Sequence, residues 1–233
     1  MHPDKNAPPF NPLPGVVWLL VLPLVAVEAW LSLGEAGLFG GPGAIGWRTG
    51  AVRDFGFSDA VFEWIRENRS YPPELLLRFV SYGFVHWSFT HALLAVVLAL
   101  ALGKFVGEVF RPWAVLAVYY GAGIAGALAY GLLIDSPLIL IGAYPAVYGL
   151  IGAFTFILWA RLGAERADRR RAFLMIGFLM AIQFAFGLVN WIFYASANFL
   201  WVAELAGFGA GFALSFVVSP GGWAAVLARL RQP

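Results

Sequence analysis

Six times along the chain a run of about 20 apolar residues is long enough to cross the hydrocarbon core of a bilayer as an α-helix, and that recurrence restricts the fold more than any other feature. The runs are Val16–Leu33, Phe79–Leu102, Trp113–Ile134, Gly142–Ala160, Ala172–Tyr194 and Phe199–Val218. Lipid offers no water to exposed backbone groups, so each run must close its hydrogen bonds within itself. With 61% hydrophobic and 12% charged residues, against roughly 25% charged in a soluble domain, the chain is expected to be an all-α polytopic membrane protein, with residues 1–233 forming one membrane domain. The first run contains Pro23 and Glu28 and lacks a small-residue cleavage pattern, which marks it as a retained span rather than a leader. There are no cysteines, which removes disulfides and thiolate metal sites.

An even number of spans puts both termini on one side, and charge chooses the side. With the N-terminus inside, the inner segments hold Lys5, Lys104, Arg111, Arg161, Arg166, Arg169, Arg170, Arg171, Arg229 and Arg231 of the 15 Lys and Arg residues. The arginine-rich RLGAERADRRRA stretch between spans four and five is the strongest anchor. By the positive-inside rule both termini face the cytoplasm. Compact loops, alanine and arginine usage and the lack of cysteine point to a bacterial inner membrane. The basic residues sit where topology and anionic headgroups want them, and no basic stripe interleaved with aromatics suggests nucleic-acid binding.

One connection is out of proportion. Residues 34–78, between the first two spans, open with the glycine-rich GEAGLFGGPGAIGWRTG. They continue through a pattern in which Phe57, Val61, Phe62, Trp64 and Ile65 alternate with charges, which predicts an amphipathic helix capped by Ser58 and lying in the outer interface. Trp47 and Trp64 are placed to anchor it at headgroup level.

Ionisable side chains within spans cost about 2.5–3.5 kcal/mol each on insertion scales, so each asks for a partner or a role. Four stand out: Glu28, His86, His91 and Glu204. Glu28, toward the outer end of span one, is expected to reach the headgroups. His86 and His91 start span two; on a helix roughly 140° would separate them, which is not the one-face arrangement of a helical zinc site. No metal and no cofactor is expected. Gly207 and Gly211 follow Glu204 at about 60° and 20° from its direction, so the carboxyl projects from the glycine-lined face of span six. Ala203, Gly207 and Gly211 form a row of small residues, and span four offers Gly142, Gly149, Gly152 and Ala153 to match. Such rows let two backbones approach closely in lipid, which predicts that spans four and six pack together with Tyr144 near Glu204. Gln183 and Asn190, nearly on one face of span five, are expected to glue it to a neighbour.

Three segments in spans two, four and six, RFVSYGFVHWSFTHALLA, GAYPAVYGLIGAF and WVAELAGFGAGFALSF, resemble the signature segments of the rhomboid intramembrane serine protease family. The similarity runs from Gly34 through Val218 and includes the long first outer loop, the Trp47-Arg48 dipeptide and the small-residue YYGAGIAGALAYG. It implies a six-helix rhomboid-like bundle with a structured outer loop. In active rhomboids the span-four motif is Gly-x-Ser-Gly with the serine as nucleophile, and a span-six histidine is the general base. A second-span histidine and asparagine help hold the oxyanion. On this chain His86 and His91 match the family's two histidines, but the asparagine position is Ala95, the nucleophile position Tyr144, the following glycine Pro145 and the base position Glu204.

Acyl transfer needs a nucleophile, a base within reach and donors aimed at the oxyanion. A phenol is a poor stand-in for a serine hydroxyl, because phenolate leaves readily from any acyl intermediate, and a carboxyl is a weak base toward it. The resemblance therefore implies an inactive member, a rhomboid-like pseudoprotease. Pro145 fits the first turn of a helix, where its missing N–H is not needed. Tyr144 is expected to plug the space a serine leaves open and to hydrogen-bond Glu204, while Tyr148, one turn on, packs against Glu204. Gly207 and Gly211 are structural.

Inactive rhomboid relatives bind transmembrane clients. The same role here, as adaptor, quality-control factor or accessory subunit of a larger membrane complex, would use the opening between spans two and five, where Trp87, Phe89, Phe184 and Trp191 offer aromatic surface. The partners implied are transmembrane helices of other proteins and the lipid bilayer. Two alternatives are an enzyme of non-standard chemistry around His86, His91, Tyr144 and Glu204, and a small-molecule or ion conduit using Glu204.

Overall fold

A computed structural model of the protein describes residues 12–194 and 199–224; Lys5, Arg229 and Arg231 of the inner charge count lie outside them. Nine α-helices are formed by these residues: α1 (Gly15–Glu35), α2 (Trp47–Phe55), α3 (Asp59–Asn68), α4 (Pro73–Ser81), α5 (Phe89–Gly107), α6 (Pro112–Leu133), α7 (Tyr144–Ala164), α8 (Leu174–Tyr194) and α9 (Leu200–Val218). Short 3-10 turns at Pro42–Gly46, Tyr82–Phe84 and Arg169–Phe173 join some of them. Helices α1, α5, α6, α7, α8 with its preceding turn, and α9 are long and apolar enough to cross a membrane, so the expected all-α bundle of six spans is observed.

Five of the six spans sit within a few residues of their expected limits. The second does not. Phe79 belongs to α4, an amphipathic helix; the chain then makes a 3-10 turn and runs extended at Val85 before Ser88 caps α5 by accepting from the His91 N–H. Hydropathy alone could not separate these pieces, because α4 and α5 are both rich in leucine and the break between them lies in capping chemistry. The long connection is also more structured than one amphipathic helix. Ser58 does cap α3, accepting from Val61, and α3 seats Phe62 where a side chain on Gly131 of α6 would otherwise stand. Helices α2 and α4 flank it.

Main-chain and side-chain bonds lock this connection to the bundle. Phe57 and Leu140 exchange N–H···O bonds of 3.0 and 2.7 Å, bridging the loop to the segment that leads into α7. The buried Tyr82 hydroxyl donates to the Gly123 carbonyl at 2.7 Å, while the Tyr82 carbonyl accepts from Gly142 N–H at 2.9 Å. Trp30 of α1 and Trp47 of α2 stack with ring centroids 5.1 Å apart.

The bundle is organised around α7, which packs against α6 and α9. The small-residue rows meet as expected: a Cβ on Gly207 would overlap the Pro145 carbonyl, and one on Gly211 the Gly149 carbonyl. On Gly152 it would stand 2.6 Å from the Phe212 nitrogen. These helices touch backbone to backbone, which only small residues permit. Helix α8 is the exception to the tight packing. Only 11% of its apolar window is buried, against 50% for α6 and α7.

Gly211→Val should therefore force α7 and α9 apart, at a cost of about 1–3 kcal/mol. Gly209→Ala, on the same helix but with open space around the added methyl, should be neutral or slightly stabilising. Unfolding curves in mild detergent compare the two.

Candidate functional site

Where α7 begins, two histidines, two tyrosines and a carboxyl converge beneath the loop helices. Gly142 positions this corner. Its φ of +98° lies in the region that favours glycine, and a Cβ there would come within 2.9 Å of the His91 ring and 3.4 Å of the His86 ring. The following residues open α7, with Pro145 in the first turn as its missing donor allows.

His86 is fully buried and its Nε2 accepts from the Ala143 N–H at 3.3 Å, so the imidazole holds the entry to α7. Because His86 precedes the helix, the 140° separation expected for two histidines on one helix does not arise. The rings meet edge to face with centroids 5.4 Å apart. His91 in turn lies under Tyr144, ring against ring at 4.8 Å and 17°.

Tyr144 differs from expectation in its partner. Its hydroxyl donates to the His91 main-chain carbonyl at 3.3 Å, not to Glu204. Glu204 is engaged from another direction: Gln183 of α8 donates to its carboxylate and to the Tyr148 hydroxyl, the latter at 3.0 Å. The physical reason is geometric. Stacking on His91 draws Tyr144 toward α5, whereas Tyr148, one turn deeper, faces α9. Gln183 thus serves as the expected interhelical glue, linking α8 to Tyr148 of α7 and Glu204 of α9. Ala95 is buried and contributes only a methyl group to this corner.

Glu28 departs most from its sequence reading. Rather than reaching headgroups, it is 5% exposed and bound by Arg48 of α2 at 3.0 and 2.8 Å, with Ser32 donating at 2.7 Å. The same guanidinium donates to Glu35 at 2.9 Å and to the His86 carbonyl at 2.8 Å. A single arginine therefore ties α1, the loop helices and the histidine corner together. An acid in an apolar run calls for a counter-ion, but its donor lies 20 residues on, beyond any local pattern.

The four aromatic candidates are all exposed, from Trp87 at 50% to Phe184 at 74%. Phe184 and Trp191 line a cleft between α8 and α9 together with Trp201 and Leu205. Trp87 and Phe89, at the start of α5, are not part of that cleft.

The family described as Rhomboid domain matches residues 73–221. That is well over half of the sequence, and the chain belongs to the rhomboid family. No curated protein matches it.

Two tests follow from the corner. Arg48→Ala strands a buried carboxylate and should destabilise the protein by about 3–5 kcal/mol, while Arg48→Met combined with Glu28→Gln should recover much of the loss; detergent unfolding of the three proteins measures the difference. Burial, reinforced by His91, pushes the His86 pKa from 6.5 down to about 4. The unfolded chain takes this proton more readily, so the stabilisation is complete above pH 6.5 and is lost as pH falls from there toward 4. Tryptophan-fluorescence melting should show that decline, and His86→Gln, which can still accept from Ala143 without titrating, should flatten it.

Proposed function

We propose that this rhomboid-family protein is catalytically inactive and binds transmembrane segments of other membrane proteins, as an adaptor, a quality-control factor or an accessory subunit of a membrane complex. One observation carries the proposal. At the positions that match the family's nucleophile and base stand Tyr144 and Glu204, and each is committed to a different partner, the His91 carbonyl for one and the Gln183 amide for the other.

Supporting this, the oxyanion side of the corner is depleted. Ala95 offers no donor and Pro145 has no N–H, and loss of one such donor alone typically lowers the rate ~10²–10³-fold. What is kept is the scaffold: the histidine that holds the entry to α7, the glycine contacts between α7 and α9, and the arginine that fixes the loop. Helix α8, so little buried within the protein, supplies lipid-facing surface on which another helix can pack. The basic residues between α7 and α8 and near both ends favour an orientation with the termini in the cytoplasm, and the composition favours a bacterial inner membrane.

Reconstituted protein should leave a transmembrane reporter intact over hours, and affinity purification in mild detergent from the native host should bring down defined membrane proteins. Cleavage of the reporter that disappears in Tyr144→Phe would overturn the proposal.

A further inference from the structure

The cleft between α8 and α9 encloses about 530 Å³ and is walled by Phe184, Leu188, Trp191, Trp201 and Leu205, with Gln183 as its polar lining residue. Gln183 gives its amide N–H groups to Tyr148 and Glu204, yet its carbonyl oxygen is buried and has no hydrogen-bond partner. A buried acceptor left empty is costly and marks a place where a donor fits. Behind it stands Glu204, which takes part in none of the ion pairs among the described residues. A carboxyl without a counter-charge, an unfilled carbonyl and an aromatic wall make a site for a cation, since aromatic faces attract one and a carboxylate within a span is relieved by one.

We infer that this cleft receives a lysine or arginine side chain carried by the transmembrane helix of a partner protein, with Glu204 as counter-charge and the Gln183 carbonyl as second acceptor. The inference rests on the client-binding role and names the chemistry of the client. A single hydroxyl, as on a lipid alcohol, would fill the carbonyl and leave Glu204 without a counter-charge; an ammonium with three donors, or a guanidinium with five, can meet both. Shape selects a helix over a headgroup: Met180, Gln183, Phe184, Gly187, Leu188 and Trp191 of α8 line the cleft along about three turns of one helical face, a length that another crossing helix can follow. The basic residue gains as much as the site does, because it too is expensive alone in lipid. Gln183 already gives Glu204 one hydrogen bond from within the chain, and the client adds the positive charge that an amide cannot supply.

The full-length protein in lipid nanodiscs tests this with single-span leucine-alanine peptides carrying a central Lys, Leu or Glu beside a photoreactive leucine. The Lys peptide should cross-link to α8 and α9 at a concentration at least 10-fold lower than the Leu peptide. Gln183→Leu should reduce that preference several-fold, Glu204→Gln should abolish it, and Glu204→Lys should transfer it to the Glu peptide, a reversal that misfolding cannot produce. Equal capture of the Lys and Leu peptides overturns the inference and leaves client binding standing, whereas capture of no peptide counts against both. An amine-headed lipid that co-purifies with the protein and is lost in Glu204→Gln overturns it as well, by assigning the cleft to lipid.

Discussion

Close approach of α7 and α9 is the constraint from which the rest of the structure follows. In lipid there is no hydrophobic drive to press helices together, so contact must come from packing and from polar bonds between helices. Gly207 over the Pro145 carbonyl and Gly211 over the Gly149 carbonyl bring the two main chains into contact. That contact fixes Glu204 beside Tyr148 and fixes the start of α7 beneath the loop. On the far side of α7, the His86 imidazole holding the Ala143 N–H completes the placement.

Polar groups here join segments of the bundle that are far apart in sequence. Arg48 joins three segments through one guanidinium, Tyr82 joins the loop to α6 and to Gly142, and Gln183 joins α8 to α7 and α9. Each buried joint replaces water that the surroundings cannot supply, so losing one partner leaves the other stranded. Helix α8 is the least buried of the six spans. Met175, Ile176, Leu179 and Met180 pack on the core, and Gln183 adds polar links to α7 and α9, which makes the same residue both a fastener and the polar floor of the adjoining cleft.

Family membership and the occupants of the site carry different kinds of information. The rhomboid match over residues 73–221 takes in the spans from α5 onward and the corner where α7 begins. It does not by itself choose a function, which depends on the groups placed at the site. Tyr144 illustrates the distinction: its ring finds a stacking partner in His91 and its hydroxyl a main-chain acceptor, so the hydroxyl is satisfied without a hydrogen bond to Glu204.

The six spans, the meeting of α7 with α9, the Ser58 cap and the proline at the start of α7 were legible because each is written in a local or periodic pattern: length, the spacing of small residues, a capping oxygen, a missing N–H. The start of α5, the burial of Glu28 and the partner of Tyr144 were not. Each depends on groups distant in sequence, Arg48 for Glu28 and His91 for Tyr144, and on a backbone break at residues 82–88 that takes His86 off the helix. Local sequence sets which groups must find partners; only the packed chain decides which partners are near enough, because a hydrogen bond is settled over a few tenths of an ångström that no spacing rule can specify.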